Sequence, residues 1–548
     1  MVDIDHVIVL VLENRSFDHL LGYLNHPKVQ AFDGLARGGP YANPGWENGP
    51  AVPASNDAKF VLPVDPDHSH DAVMEQLGLV NRTPSAEPAN SGFVSSYERK
   101  GRGLAPATFG GVLGAIARWW IRRSEAGTPR IFGRGPLVMR CQAPEQVPVL
   151  SCLAREFAVC QRWFCSVPGE TWPNRNFLHA ATSDGETNIN IRFYDDKTVF
   201  EQLEEHGKSW HIYHDDTPQV WAFNKLWDTA SRHANWYPLA RFIQHVTEET
   251  LPHYSFIEPN HRPPLHTLDH QPVLGGTPDL SNSQHPGNNL IANAQYDSYT
   301  GGSDTDFQRA EALLATIYET LKSKPELFQR SLLLITYDEH GGLYDHVPPP
   351  KTVAPGDPQG LPARLLYRLL HRNTEPFDFT RLGPRVPAVV VSPHISPGTI
   401  DDTIRDHACV PATVRAVFAP DAGPLTQRDK VARPFHTLLN LPAPRRADLP
   451  DLSQYAPPVD QVGVLTGISA PHTDTSAGED PRSAAHEPVF YRDFVKLAKQ
   501  VQAHLEKVGE PEIAAVSKQK PAFAQVVEIS EQFALAAHRH RHPDQTTR

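Results

Sequence analysis

Two short apolar runs, far apart in the chain, each end in a pair of oxygen-bearing side chains. Val7 to Leu12 delivers Glu13 and Asn14, and Leu332 to Tyr337 delivers Asp338 and Glu339. Three carboxylates and an amide are the donors a hard divalent cation prefers. In open α/β sheets ligands sit at the carboxyl ends of the strands, so these pairs suggest one metal site built from both segments, with a pair of solvated strand ends as the bland alternative. Gly341, Gly342 and the histidines His340 and His346 follow the second pair. A third stretch offers a nucleophile. Pro168 to Glu170 form a turn that presents Thr171 just ahead of Pro173, a residue suited to the first turn of a helix. A helix start binds phosphate through its N–H groups and positive dipole end, so a hydroxyl there suits phosphoryl transfer; the alternative is that Thr171 only caps the helix. His68 and His70, in Pro66 to Leu77, sit at another helix start, where a histidine also serves as a surface or capping residue.

The elements that must position these residues alternate in type. The two apolar runs are short enough to be buried strands rather than helices, and Arg385 to Pro393 (RVPAVVVSP) is another such run. Val147 onward reads as a helix and a strand, and HACVPATVRAVF, from His407 to Phe418, as a helix. That alternation predicts an α/β fold with a mainly parallel sheet covered by helices on both faces. High Pro (52) and Gly (35) predict long ordered loops: Gly34 to Phe60, the Pro-rich Lys351 to Thr380 with a short helical pattern in LPARLLYRLL, and a linker or covering loop from about Pro442 to Glu479. An amphipathic helix over HEPVFYRDFVKLAKQVQAHLEKVG and a second helical segment ending in HRHRH follow, and are expected to dock on the core. The organisation expected is a catalytic domain over 1–440 and a covering loop with a helical C-terminal segment over 441–548.

Composition narrows the partners. With 51 basic and 63 acidic side chains the formal charge is −12, which argues against a nucleic-acid binder relying on phosphate neutralisation. The five cysteines form no CxxC pair and are odd in number, which points to thiols in a reducing compartment. The first apolar run lacks a basic leader and a cleavage site, so no signal peptide is read, and no apolar stretch reaches the ~20 residues of a spanning helix. The expectation is a cytoplasmic or peripheral membrane protein. Gly111 to Gly127 sets Trp119 and Trp120 beside Arg122 and Arg123, which suits a membrane interface or, alternatively, a packed surface helix. The oligomeric state is left open.

Four blocks in order, ENRSFDH, PNRNFLHAATSDG, YDEHGGLYDHVPPP and GPRVPAVVVSPHISPG, resemble the phosphoesterase family. It comprises bacterial phosphocholine-specific and plant non-specific phospholipases C with related acid phosphatases, within the alkaline phosphatase superfamily. Together with DPDHSHDAVMEQ, LPHYSFIEP, HPGNN and DHACVPATVRAVF, the resemblance extends from about residue 4 to about residue 435. It implies an alkaline-phosphatase-like sheet, Thr171 as the residue that becomes phosphorylated, and Glu13, Asn14, Asp338 and Glu339 as ligands of a divalent cation (calcium, magnesium or manganese), with the Thr171 oxygen completing the shell. It also implies a place for His285 near the phosphate or the leaving group, and puts His68 and His407 in family motifs. The activity implied is a phospholipase C that cleaves a glycerophospholipid, or another phosphoester, to diacylglycerol and a phosphorylated head group through a phosphothreonine. A broad acid phosphomonoesterase and a catalytically silent lipid-binding protein on the same fold are the alternatives. Two positions depart from the family pattern: Glu170 stands where similar phospholipases carry Ser or Thr, and Asn288 where many carry a second histidine.

Overall fold

The computed structural model describes residues 2–80, 86–105, 130–214, 217–261, 266–267, 271–272, 281–301, 305–356, 377–456, 491–508 and 522–541. Eight strands form one central sheet: β1 (His6–Leu12), β2 (Ala158–Cys160), β3 (Trp210–His214), β4 (Trp236–Pro238), β5 (Tyr254–Glu258), β6 (Ser331–Tyr337), β7 (Ala388–Val391) and β8 (Thr399–Asp401), in the order β8-β2-β7-β6-β1-β5-β3-β4. Val7 to Leu12 and Leu332 to Leu334 are fully buried at every position. Successive strand residues point to opposite faces, so such a run has both faces of the sheet covered. That is the reason these segments are continuously apolar rather than alternating.

Register makes the site. β1 and β6 are parallel neighbours paired from His6 with Ser331 to Leu12 with Tyr337. Both therefore end at one level, and Glu13 and Asn14 emerge beside Asp338 and Glu339. On the other side of β1, β5 pairs in parallel, with Leu10 opposite Ile257, and delivers Glu258 at the same edge. The expected mainly parallel α/β sheet is present, with one departure in direction. β7 runs antiparallel to both β6 and β2. An antiparallel neighbour starts where the previous strand finishes and needs no crossover helix, so the whole connection from Asp338 to Pro387 stays at the site end. Burial gives a strand no direction, which is why composition did not reveal this.

The helices that matter here are α1 (Phe17–Leu21), α2 (His70–Gln76), α3 (Pro148–Glu156), α4 (Thr171–Ala180), α5 (Asp306–Lys322), α6 (Cys409–Phe418), α7 (Tyr491–Val508) and α8 (Ala522–Arg541). α3 packs on α5 and α4 on α6. The two C-terminal helices pack on each other and on the β4 edge, and Leu497, Val501, Leu505, Ile529 and Phe533 join the same apolar core as the sheet. Phe533 lies 4.8 Å from the Trp221 ring and 5.2 Å from that of Trp236. The segment with Trp119 and Trp120, LPARLLYRLL, and most of the Pro442 to Glu479 loop lie outside the described residues. Among the described residues no helix is long and apolar enough to cross a membrane.

Candidate active site

The chain leaves β1 through Asn14 in a left-handed conformation (φ 57°), one that asparagine tolerates better than most residues. Its backbone N–H donates to Asp338 Oδ1 at 3.0 Å, tying the two strand ends together. Gly341 is the matching requirement on the other strand. At φ 67° a side chain there would meet the Asn14 carbonyl oxygen at 2.1 Å, so only glycine lets the two turns touch. The Gly341 N–H in turn donates to Glu339 Oε2 at 2.7 Å, and the Glu339 N–H to Asp338 Oδ1 at 2.7 Å, which aims both carboxylates.

Thr171 enters from α4. The N-cap is Glu170, no side chain caps this helix, and the Thr171 hydroxyl donates instead to Asn14 Oδ1 at 3.3 Å. The capping alternative is thereby answered: the hydroxyl is turned across to the end of β1. The residues after it explain the P-N-R run. Pro173 suits the first turn; Asn174 Nδ2 donates to the Val167, Gly169 and Glu170 carbonyls at 3.1–3.2 Å and fixes the loop in front of the helix. Arg175, one turn beyond Thr171 and fully buried, places Nε 2.9 Å from Asp338 Oδ2, Nη1 2.8 Å from Glu258 Oε1 and Nη2 3.6 Å from Glu13 Oε1. His261 bridges Glu13 (3.0 Å) and Glu258 (3.1 Å). Neither Arg175, Glu258 nor His261 was singled out above, although Glu258 obeys the same rule of a carboxylate at a strand end and sits in the quoted LPHYSFIEP block.

The histidines divide by what holds them. The Gly287 N–H donates to His285 Nδ1 at 2.8 Å, so the neutral ring carries its proton on Nε2, which lies 2.9 Å from the Asn14 amide. Burial pushes His285 down to about 4, so it stays neutral. His68 Nε2 lies 3.4 Å from the same amide and its Nδ1–H donates to the Pro66 carbonyl at 2.9 Å. Burial works against charge on His68, but Glu339, Asp65, Glu170 and Asp67 outweigh it and raise the group to about 9. His407 meets the site only through the backbone: Trp163 Nε1 donates to its Nδ1 at 3.3 Å and Nε2–H donates to the Asp338 carbonyl at 2.6 Å. Burial holds it neutral, at about 4. Asn288, the second departure, is turned away to Ser283 and to Asp306 at the start of α5, 3.1 Å from each.

The donor set fits a hard cation. Burial pushes Asp338 up, with Arg175 offsetting part of it, and burial likewise raises Glu339 against the opposing charge of His68. Glu13 is buried too, but His261 and Arg175 hold it well below the usual carboxylate range. Among the described residues both Glu13 carboxylate oxygens and Glu339 Oε1 are buried without a hydrogen-bond partner. Such oxygens are costly unless a cation meets them. A neighbouring trio, Asp65, His68 and His285, brings one ligand atom from each within 4.8 Å. It is the poorer cation site, because His285 has its Nδ1 lone pair on Gly287 and its proton on Nε2, leaving no nitrogen to donate.

Sequence comparison decides the family. The profile of the phosphoesterase family matches residues 4–419. The chain belongs to that family. It is a phosphoric ester hydrolase. Non-specific phospholipase C3 of Arabidopsis thaliana is 32% identical over 461 residues, covering 80% of this chain and 74% of that protein. Phospholipase C A of Mycobacterium tuberculosis is 25% identical over 483 residues, 83% of this chain and 80% of that one. A solved alkaline phosphatase superfamily protein from Vibrio parahaemolyticus aligns over 51% of this chain and 61% of its own at 13% identity and a TM-score of 0.27, a likeness too slight to add to the strand order.

Proposed function

We propose that the chain is a divalent-cation-dependent phospholipase C that hydrolyses a glycerophospholipid to diacylglycerol and a phosphorylated head group through a phosphothreonine at Thr171. What carries the reading is the Thr171 hydroxyl, aimed 3.3 Å across to Asn14 among four buried carboxylates and away from any capping role. The phospholipase C names of relatives at up to 32% identity support the lipid substrate. Glu13, Asn14, Asp338, Glu339 and the Thr171 oxygen would hold calcium, magnesium or manganese, and that ion would lower the hydroxyl pKa and offset phosphoryl charge. Thr171 Oγ1 attacks phosphorus, the P–O bond to the diacylglycerol oxygen breaks, and water then hydrolyses the phosphothreonine. His68 is the proton donor in this reading. A neutral imidazole such as His285 would have to become an imidazolate to give up its one N–H, so His285 serves instead as a fixed donor to a phosphoryl oxygen. Arg175 holds Asp338 in place, and His407 holds its carbonyl. Residues 1–440 form the catalytic unit, and 441–548 cover it.

The test is acid quenching after brief exposure to phosphatidylcholine vesicles, followed by peptide mapping. One phosphate on the peptide containing Thr171 is expected, with Thr171→Ala losing several orders of magnitude of turnover and Thr171→Ser keeping part of it. An active alanine variant with no phosphopeptide would sink the covalent route. Contact with a bilayer is proposed to run through Trp119 and Trp120. Replacing both by alanine should weaken hydrolysis of vesicles and spare a soluble phosphoester; equal losses would make them core residues.

A further inference from the structure

The residue in front of the nucleophile is a carboxylate, and its setting gives it a purpose. Glu170 is half-buried at the N-cap of α4, yet its side chain does not cap that helix. Its Oε2 accepts from the backbone N–H of Ile189, which fastens the carboxylate to a neighbouring loop. Its backbone carbonyl is gripped by Asn174 Nδ2 at 3.1 Å, so the residue has little freedom to swing away. From there its charge acts on His68, whose ring nitrogen is 3.4 Å from the Asn14 amide that takes the Thr171 hydrogen bond. Asp65 acts on the same histidine. The rim beside the attacking oxygen is thus acidic, with a fixed negative charge at the one position immediately preceding Thr171.

We propose that Glu170 is a specificity-determining residue that selects singly charged phosphodiesters over doubly charged phosphomonoesters. The inference rests on the reading of Thr171 as nucleophile. A diester presents one negative charge and a monoester near pH 8 nearly two, so a carboxylate fixed beside the site repels the monoester more. A serine or threonine at this position would not. The same charge also works against rebinding of inorganic phosphate, which is largely dianionic at that pH.

The experiment measures kcat/KM at pH 8 for p-nitrophenyl phosphate and for the diester p-nitrophenyl phosphorylcholine, on wild type, Glu170→Gln, Glu170→Ser and Glu170→Asp. Glutamine keeps the length and an oxygen for the Ile189 N–H, so a matching melting temperature is the check on folding. The monoester-to-diester ratio should rise about tenfold in the glutamine and serine variants, and inhibition by inorganic phosphate should tighten by a similar factor. Glu170→Asp should stay near wild type. In the wild type itself, raising ionic strength should lift the ratio, because salt screens a half-buried charge in part. A ratio within twofold of wild type in both neutral variants, or a wild-type ratio indifferent to salt, overturns the proposal. Both substrates are soluble, so failure of the enzyme to cleave lipid would count against the phospholipase reading alone.

Discussion

The molecule contains two buried arginines among carboxylates, and they are finished differently. Arg385 is fully buried, with Nε 2.9 Å from Asp345 and Nη2 2.9 Å from Asp18. His346 joins Asp18 at 2.7 Å and Asp33 at 3.2 Å, while Nη1 donates to the carbonyls of Asp33 and Gln161. None of the buried side-chain nitrogen or oxygen atoms of Arg385, Asp18, Asp345 or His346 lacks a partner. Arg175 sits among Glu13, Glu258 and Asp338 with the same chemistry, but there Glu13, Glu258 Oε2 and Glu339 Oε1 are left without hydrogen bonds among the described residues. The first cluster is closed and fastens α1, the loop after β6 and the approach to β7 to one another. The second is left open at the carboxyl ends of the strands. Charge density alone does not separate a structural network from a site; the unsatisfied oxygens do.

That contrast is broken or sharpened by removing one group from each. Asp338→Asn should cost roughly a thousandfold or more in kcat/KM, because the cation and the nucleophile both depend on that carboxylate. Its stability should change by no more than about 1 kcal/mol, since burial makes the Asp338 charge costly and asparagine keeps an oxygen for the Asn14 N–H. Saturating calcium, magnesium or manganese should stabilise the wild type by about 2.7 kcal/mol at a hundred times Kd, chelator should remove that gain, and Asp338→Asn should show neither. Arg385→Met should do the reverse. Leaving Asp18 and Asp345 buried and unpaired should cost about 3–5 kcal/mol in denaturant melts, with turnover per folded molecule largely kept. Loss of turnover in Arg385→Met at unchanged stability, or unfolding of Asp338→Asn, would erase the distinction.

How far the sequence carried depends on whether a feature is local or relational. The strands β1 and β6 and the pairs they deliver were legible because a continuously apolar run followed by carboxylates is a local pattern. Thr171 was legible as a candidate through the turn before it and Pro173 after it, but its hydroxyl faced two uses, and only the contact with Asn14 decided between them. Arg175 was hidden inside a quoted block: an arginine on a helix reads as solvated, and its burial follows from three strand ends meeting around it. His261 and Glu258 were missed for the same reason. The direction of β7 was not legible, because burial on both faces carries no parity. His407 was placed correctly in a motif, yet its contact is with a backbone carbonyl, which no side-chain pattern encodes.

The closed cluster should also reveal itself by pH. His346 lies between Asp18 and Asp33 with Arg385 beside it and Tyr41 against its ring at 4.4 Å. Burial and Arg385 oppose its charge, but the two carboxylates prevail and raise it to about 9, above the value of about 6.5 expected in the unfolded chain. A group bound more tightly to its proton when folded stabilises the fold below its unfolded pKa. That contribution, on the order of 3 kcal/mol, is therefore fully present below about pH 6.5 and is lost as pH rises through about 9. On the acid side Asp33, held below the usual range first by its hydrogen bond to His346, contributes above about pH 4 and is lost as pH falls further. His346→Gln keeps one donor and cannot titrate. Urea melts of wild type and variant from pH 6 to pH 10 should converge at the alkaline end, the wild type being more stable only at the lower pH values. A constant difference across that range would mean that His346 is held by packing alone, and the closed cluster would then owe its stability to Arg385 and its carboxylates without the histidine.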